Sequence, residues 1–415
     1  MARLETLTAL DIGTSKVVCV MAEFDSAGDL EIVARGVRPC RGLRRGALVD
    51  AEEAVRSIEA AVAEAEKFAG YTAGPALVGL TSQYLCSQPS HGVWPVGNAE
   101  GQVARTDVQR VIEAARMVGI PSDREIVHVI PRGFAVDGQT GIRNPLGLSG
   151  LRLEVDAHVV AASTAYLANV RNVVNKAGLE LDPEGLVASS LASSLAVLTE
   201  EERELGTAMV DIGLGATDFA VYCGGEVGHS AVLPVAGELL IHDLARFFRI
   251  PPLEAERLML EAGLASPEFL EAQEDQEMEA PAISGEGKVK ISRRQLAEVL
   301  EARLLEIFDW VGKQIEWSRK KLGLVVTSLV LTGGVAQLPG LALLAHRELQ
   351  MPARVAAPCY PPGLPQNLCS PIYSTAVGLI LYGATRIPRH EEPAVGNSPF
   401  KELVKRLYAM LVSLF

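Results

Sequence analysis

Two stretches of this 415-residue chain, 200 residues apart, follow one pattern, and that repetition constrains the fold more than any other feature. The first is Leu7-Thr-Ala-Leu-Asp11-Ile-Gly13-Thr14-Ser15-Lys16-Val-Val18. The second is Ala208-Met-Val-Asp211-Ile-Gly213-Leu214-Gly215-Ala216-Thr217-Asp218-Phe219. Each is an apolar, β-prone run, then Asp-Ile-Gly with small turn residues, then a second apolar run, which predicts a hairpin. Strand-like runs follow at Leu30–Val37 and Val227–Val235, then helical stretches at Ala51–Ala69 and Glu238–Phe248. Two copies of one supersecondary order predict a duplicated α/β fold with a cleft between its halves.

An Asp-Ile-Gly turn offers backbone N–H groups where glycine permits close approach. Such a nest holds phosphate oxygens, and its carboxylate can orient a hydrated Mg²⁺. A single turn of this kind is weak evidence. Two in duplicated halves are far more specific, and Leu329-Val-Leu-Thr-Gly333-Gly334 adds a buried strand, a double glycine and a following helix that would bring backbone against a nucleoside. Competing motifs are missing: no GxxxxGK[ST], no HExxH and no GxSxG occurs, and Gly213-Leu-Gly215 leads into a strand and not a helix.

Two insertions interrupt the halves. Residues 82–162 carry short strands, a helix near Thr106–Val118 and Gly/Pro punctuation. Residues 235–324 include an acidic run, Glu271–Glu279, read as a solvated loop, and a long helix from Arg293 to about Lys321. The remaining boundaries are 1–81 with 163–204 for the first half and 205–234 with 325–386 for the second. The apolar run Ile372–Ala384 reads as a core helix, since no stretch reaches the ~18 apolar residues of a membrane span. Six scattered cysteines form no CxxC pair, which suits reduced cytosolic thiols, and a net charge of −13 argues against a nucleic-acid partner.

The tail changes character. Residues 387–398 read as a linker, with Pro388, Pro393 and Gly396. Ser398-Pro399 then opens a helix over 399–415. At 100° per residue, Phe400, Leu403, Val404, Leu407, Leu411, Leu414 and Phe415 share a ~120° arc, with Lys401, Lys405 and Arg406 outside it. An amphipathic helix ordinarily packs on its own core. The linker, the terminal position and the flanking cations favour instead an anionic membrane surface.

Together these motifs resemble the FtsA family of bacterial cell-division proteins, within the actin/Hsp70/sugar-kinase superfamily. The resemblance also rests on Arg45-Gly-Ala-Leu-Val-Asp50, His128-Val-Ile-Pro131, Gly141–Arg152, Val197–Gly206, Leu331–Gly340 and Tyr373–Gly378. It implies a duplicated actin-like (ribonuclease-H-like) fold, two halves around a nucleotide cleft, with an inserted subdomain of the family's own type and a C-terminal amphipathic helix. It implies ATP and Mg²⁺ as cofactors. Asp11, Gly13, Thr14, Ser15 and Lys16 would form the first phosphate loop. Asp211, Gly213, Gly215 and Thr217 would form the second, and Glu256, Gly333 and Gly334 the adenosine contacts. Asp11 and Asp211 would hold the metal through water.

The chain departs from the family pattern at Leu214 and Ala216, where Gly and Thr are usual, and at Met259 in place of Lys. A side chain at the turn tip is expected to weaken nucleotide binding or hydrolysis if φ > 0 or close approach is required there, the alternative being a small local rearrangement with ATP still bound. Ser189 stands where some members carry an acid. The partners implied are the C-terminal peptide of FtsZ, other copies of the chain in actin-like filaments, and FtsN or other divisome proteins through the inserted subdomain. Arg293, Arg294 and Arg303 are candidate contacts to the acidic FtsZ tail, a solvated helix face being the alternative. The implied setting is the cytoplasmic face of the inner membrane at the division site, as a peripheral protein with at most slow ATPase activity. A small-molecule kinase and an adaptor like the pilus-assembly protein PilM are the alternatives.

Overall fold

A computed structural model describes residues 6–25, 28–97, 101–117, 119–285, 287–361 and 363–387. The linker from residue 388 onward and the amphipathic helix expected at 399–415 lie outside the described residues. Within them, no helix is long and apolar enough to cross a membrane.

The first half opens with an antiparallel meander of β1 (Thr6–Ile12), β2 (Lys16–Phe24) and β3 (Leu30–Pro39). A short ribbon, β4 (Leu43–Arg44) and β5 (Ala47–Leu48), leads to α1 (Ala51–Ala69). Asp50 caps α1 by accepting from the N–H groups of Glu52 and Glu53 at 3.0 Å, and Gly70 ends it in the left-handed region. β6 (Ala76–Leu80) then returns parallel to β1.

The chain next leaves this sheet. β7 (Leu85–Pro95), α2 (Arg105–Arg116), β8 (Arg124–Val136), β9 (Gln139–Ile142) and β10 (Arg152–Ser163) build a separate four-stranded sheet in the order β7-β10-β8-β9. Val111 and Ala115 of α2 pack with Phe134, Val155 and Val159 into a core of their own. After α3 (Thr164–Lys176), β11 (Leu181–Ala188) completes the first large sheet in the order β11-β6-β1-β2-β3.

The second half repeats the plan. Following α4 (Ser189–Val197) and α5 (Glu200–Leu205) comes the meander β12 (Thr207–Ile212), β13 (Thr217–Cys223) and β14 (Glu226–Leu233). An excursion follows through α6 (Gly237–Phe248), α7 (Pro252–Ala262), β15 (Glu277–Pro281), β16 (Lys288–Ser292) and α8 (Arg293–Leu322). β17 (Ser328–Thr332) returns parallel to β12, and α9 (Leu341–Leu349) leads to β18 (Ala353–Val355). The order β14-β13-β12-β17-β18 is the first half's arrangement again: a meander extended by two parallel strands. The last described helix is α10 (Ser374–Arg386).

Between the two sheets lie α4 and α10, apolar or small on every side, which marks helices buried all round. Every residue of α4 is buried, as are Ser374–Thr385 of α10. Their core joins Val18 and Val20 of the first sheet to Met209, Ala220 and Val330 of the second. The helices cross so closely at Gly378 that a Cβ there would fall on the Ala192 carbonyl.

Two local expectations need correction. The acidic run is not all loop: Glu277–Pro281 is a strand paired with Lys288–Ser292, and Lys288 meets Glu279 at 2.8 Å and Lys290 meets Glu277 at 3.3 Å. The two ion pairs run diagonally across the ribbon, whose inner positions Ala280 and Ile291 are buried. The double glycine runs first into a 3₁₀ turn, Val335–Gln337, and the α-helix begins only at Leu341.

Candidate functional site

The two Asp-Ile-Gly hairpins close in the same way. Gly13 N–H donates to the Lys16 carbonyl at 3.0 Å, and Gly213 N–H donates to the Ala216 carbonyl at 3.1 Å. The turns meet: a Cβ on Gly215 would strike the Thr14 side chain and lie 3.0 Å from the Arg45 Cα. Thr14 is fixed in turn, its Oγ1 accepting from Gly46 N–H at 3.1 Å.

Behind the turns the aspartates converge. Asp211 Oδ2 accepts from Ser193 of α4 at 2.6 Å and from Thr375 of α10 at 3.3 Å, so both central helices hold it. Asp218 sits opposite Asp211 in the β12–β13 register. Its Oδ2 accepts from Thr81 at 2.9 Å, while its buried Oδ1 has no partner. Burial and then the neighbouring Asp211 charge raise Asp11 to about 7, with Lys16 opposing. Burial also raises Asp211, against the Ser193 and Thr375 hydrogen bonds, and pushes Asp218 well above the carboxylate range. Lys16 is lowered by its own burial.

A site with this acidic floor repels a polyphosphate unless a cation intervenes, and the orphaned Asp218 oxygen is a further unmet acceptor. Mg²⁺ fits that chemistry. Among the described residues no three His, Cys, Asp or Glu side chains are grouped to ligate a metal directly, so a cation here would be held through water.

The raised Asp11 has a measurable consequence. A carboxyl whose folded pKa lies above its unfolded value stabilises the fold fully below about pH 4, and that contribution disappears as pH rises through about 7. Asp11→Asn is therefore expected to raise the melting temperature of the nucleotide-free chain at pH 8 by roughly 2–5 °C and to leave it nearly unchanged only at about pH 4, with an intermediate gain between. Scanning calorimetry at the two pH values checks this.

Gly333 is where the cleft demands glycine. Its φ is +89°, and a Cβ would strike Asp211 Oδ1 and lie 2.6 Å from the Ile212 carbonyl oxygen. Gly334 is unconstrained by comparison, its nearest neighbour Ile372 lying 4.0 Å from a built Cβ.

The structure brings Asp11, Gly13, Thr14, Lys16, Asp211, Gly213, Gly215 and Gly333 to one locality, with Ser15 exposed at the first turn's tip. Thr217 is a correction: it is fully buried, and its hydroxyl donates to the Val235 carbonyl at 2.8 Å, so it braces the hairpin from within. Leu214 does not take positive φ, and its side chain packs on the second-half core beside Gly237, so the turn holds it without backbone strain. Glu256 is half-buried on α7, and Met259 packs on the same core.

The three arginines are divided. Arg293 donates to the Ala262 carbonyl at 3.1 Å and to Glu274 at 3.2 Å, Arg294 lies 3.7 Å from Asp275, and Arg303 is bound by Asp243 at 2.8 Å and by Glu306. Helical spacing puts Arg303 about 80° from Arg293 and about 180° from Arg294. Near Arg303, a groove of about 540 Å³ opens between α6 and α8, lined by Asp243, Arg246, Phe247, Glu298, Val299 and Ala302, with Phe247 66% exposed.

Sequence reasoning missed Asp218, Ser193, Thr375 and Tyr373. Asp218 had a signal, seven residues after Asp211 and hence directly across the hairpin, whereas the other three reach the site from distant helices.

Comparison with known proteins adds an independent line. The family description "SHS2 domain inserted in FTSA" matches residues 82–161, and "Cell division protein FtsA" matches residues 208–378. The cell division protein FtsA of Pseudomonas aeruginosa is 38% identical over 377 residues, covering 91% of this chain and 89% of that protein. Among solved structures, a chain of the PilM-PilN type IV pilus biogenesis complex aligns with a TM-score of 0.65 at 20% identity, covering 91% of this chain and 98% of that one. MreB5 of Spiroplasma citri, solved bound to ADP, aligns with a TM-score of 0.53 at 16% identity, over 92% of this chain and 97% of that one. At such identities the structural likeness is one of fold, the duplicated actin-like arrangement.

Proposed function

Since the chain belongs to the FtsA family of bacterial cell-division proteins, we propose that it is an ATP-binding, membrane-anchored adaptor that tethers FtsZ filaments to the cytoplasmic face of the inner membrane and helps recruit later division proteins. The observation that carries the nucleotide reading is the meeting of the two Asp-Ile-Gly turns over Asp11 and Asp211, with Gly333 pressed against the latter. The turn N–H groups and Lys16 would bind phosphate oxygens. Gly333 and Gly334 would face the adenosine, with Glu256 as a further contact. Asp11 and Asp211 would hold Mg²⁺ through water, and the metal would supply charge neutralisation over the acidic floor.

Asp218 is the candidate for orienting a water, because its buried Oδ1 lacks a partner. Only slow turnover is expected. Asp218→Asn should abolish the residual phosphate release while leaving ATP affinity within about threefold of the unmodified protein.

The FtsZ tail is assigned to the α6–α8 groove, because Phe247 is exposed there beside Arg246, while the salt bridges of Arg293 and Arg294 occupy those side chains. An exposed aromatic next to a cation suits a peptide carrying both apolar and acidic residues. Phe247→Ala is expected to weaken binding of the FtsZ C-terminal peptide about tenfold by fluorescence anisotropy, and Arg293→Ala to change it little.

The membrane role rests on residues 399–415 and on family membership. Cosedimentation with anionic vesicles tests it together with FtsZ binding. The full chain is expected to carry FtsZ to the vesicles, and a chain ending at residue 398 to leave both in the supernatant. Equal recruitment by the truncated chain would overturn the tether.

A further inference from the structure

The start of α10 reaches all three elements that would face a nucleotide. Thr375 donates to Asp211 behind the second turn, and Ser374 shares a 2.6 Å hydrogen bond with Thr332, the residue before Gly333. Tyr373, just ahead of them, reaches the first turn: the Lys16 ammonium lies over its ring, 5.2 Å from the centroid. The ring is itself anchored. Arg35 of β3 donates to the Tyr373 hydroxyl at 2.7 Å, and its guanidinium carbon also lies 5.2 Å from the centroid. Arg35 is steadied in turn by the Asn367 carbonyl at 2.9 Å, and Tyr373 is only 8% exposed.

We propose that Tyr373 is a positioning residue for phosphate binding, its ring seating the Lys16 ammonium at the first turn while Arg35 fixes the ring. The inference rests on the nucleotide site proposed above. Lysine has a flexible stem and three N–H donors, and binding must freeze that stem. Asp11 and Asp211 both attract Lys16, and a direct carboxylate contact would neutralise the charge that a phosphate needs. An aromatic face attracts the ammonium without neutralising it, so the donors stay available to a ligand. Because Tyr373 precedes the helix that holds Asp211 and Thr332, the same backbone sets the relative placement of all three elements.

The test is calorimetric titration of the full chain with ATP and Mg²⁺, and separately with adenosine, for the unmodified protein and for K16M, Y373F, Y373L and K16M/Y373L. Y373L is expected to weaken ATP binding about tenfold with adenosine affinity unchanged. Y373F keeps the ring and is expected to stay within about threefold. In the K16M background Y373L should cause no further loss, because Tyr373 acts through Lys16. The inference is overturned if folded Y373L binds ATP as the unmodified chain does, if it loses adenosine equally, if Y373F loses as much, or if the losses of K16M and Y373L simply add. Should K16M bind ATP as tightly as the unmodified chain, or the unmodified chain bind none, the nucleotide site itself is wrong and the inference falls with it.

Discussion

Gly333→Ala is expected to lower ATP affinity by about a hundredfold or more while leaving the protein folded. The residue sits at φ +89°, where an alanine is strained by roughly 1–2 kcal/mol. The larger effect is steric. The new methyl would strike Asp211 Oδ1, and Asp211 is held on its other side by Ser193 and Thr375 and cannot retreat without breaking those bonds. Either the aspartate leaves the position proposed for orienting the metal, or the Gly333 turn withdraws from the proposed adenosine contact. Both outcomes damage the same site from opposite sides. Gly334→Ala is the matched control, with its built Cβ 4.0 Å from the nearest neighbour, and it should stay within a few-fold of the unmodified protein. Calorimetric titration of the two variants checks the contrast, and comparable affinities would refute it.

A large effect on stability is expected at Gly378. Alanine usually favours a helix over glycine by about 1 kcal/mol, so propensity alone predicts a gain. Packing reverses the sign. A Cβ at this crossing would fall on the Ala192 carbonyl and lie 3.1 Å from the Ala192 Cα, between two helices buried along their length. The helices would have to separate in the middle of the core shared by both sheets, at a net cost of about 2–4 kcal/mol. Because α4 carries Ser193 and α10 carries Thr375, their separation also releases Asp211, so ATP affinity should fall with the melting temperature. Gly133→Ala, which meets nothing within 4 Å, should be nearly neutral in the same melt. Equal melting temperatures for the Gly133 and Gly378 variants would contradict the packing argument.

Much of the fold was legible because the chain writes its hairpin twice. The helix over Ala51–Ala69 appears at those residues, since Asp50 and Gly70 mark its ends chemically. The long helix likewise starts at Ser292, a cap paired with Gln295, and stops at Gly323. Asp218 was hidden by the same duplication: the position opposite Asp211 is an aspartate, while the position opposite Asp11 is Val18, so matching the copies drew no attention to it. Leu214 looked disruptive because a turn tip is a common place for positive φ. Here the turn closes through Gly213 N–H and turns the leucine toward the core. Ser193, Thr375 and Tyr373 could not be assigned from sequence, because helix burial says nothing about which strand end a helix terminus will meet. The Arg293, Arg294 and Arg303 grouping was testable by helical spacing alone, which already sets Arg294 and Arg303 on opposite faces.

The two halves are expected to enclose Mg²⁺-dependent ATP, and calorimetric titration of the purified protein with ATP, with Mg²⁺ and then with excess chelator, beside Asp211→Asn, tests it. One saturable site of about micromolar affinity is predicted, weakened at least tenfold by the chelator and lost in the variant. No heat of binding at millimolar ATP with Mg²⁺, or affinity unchanged in Asp211→Asn, would contradict it.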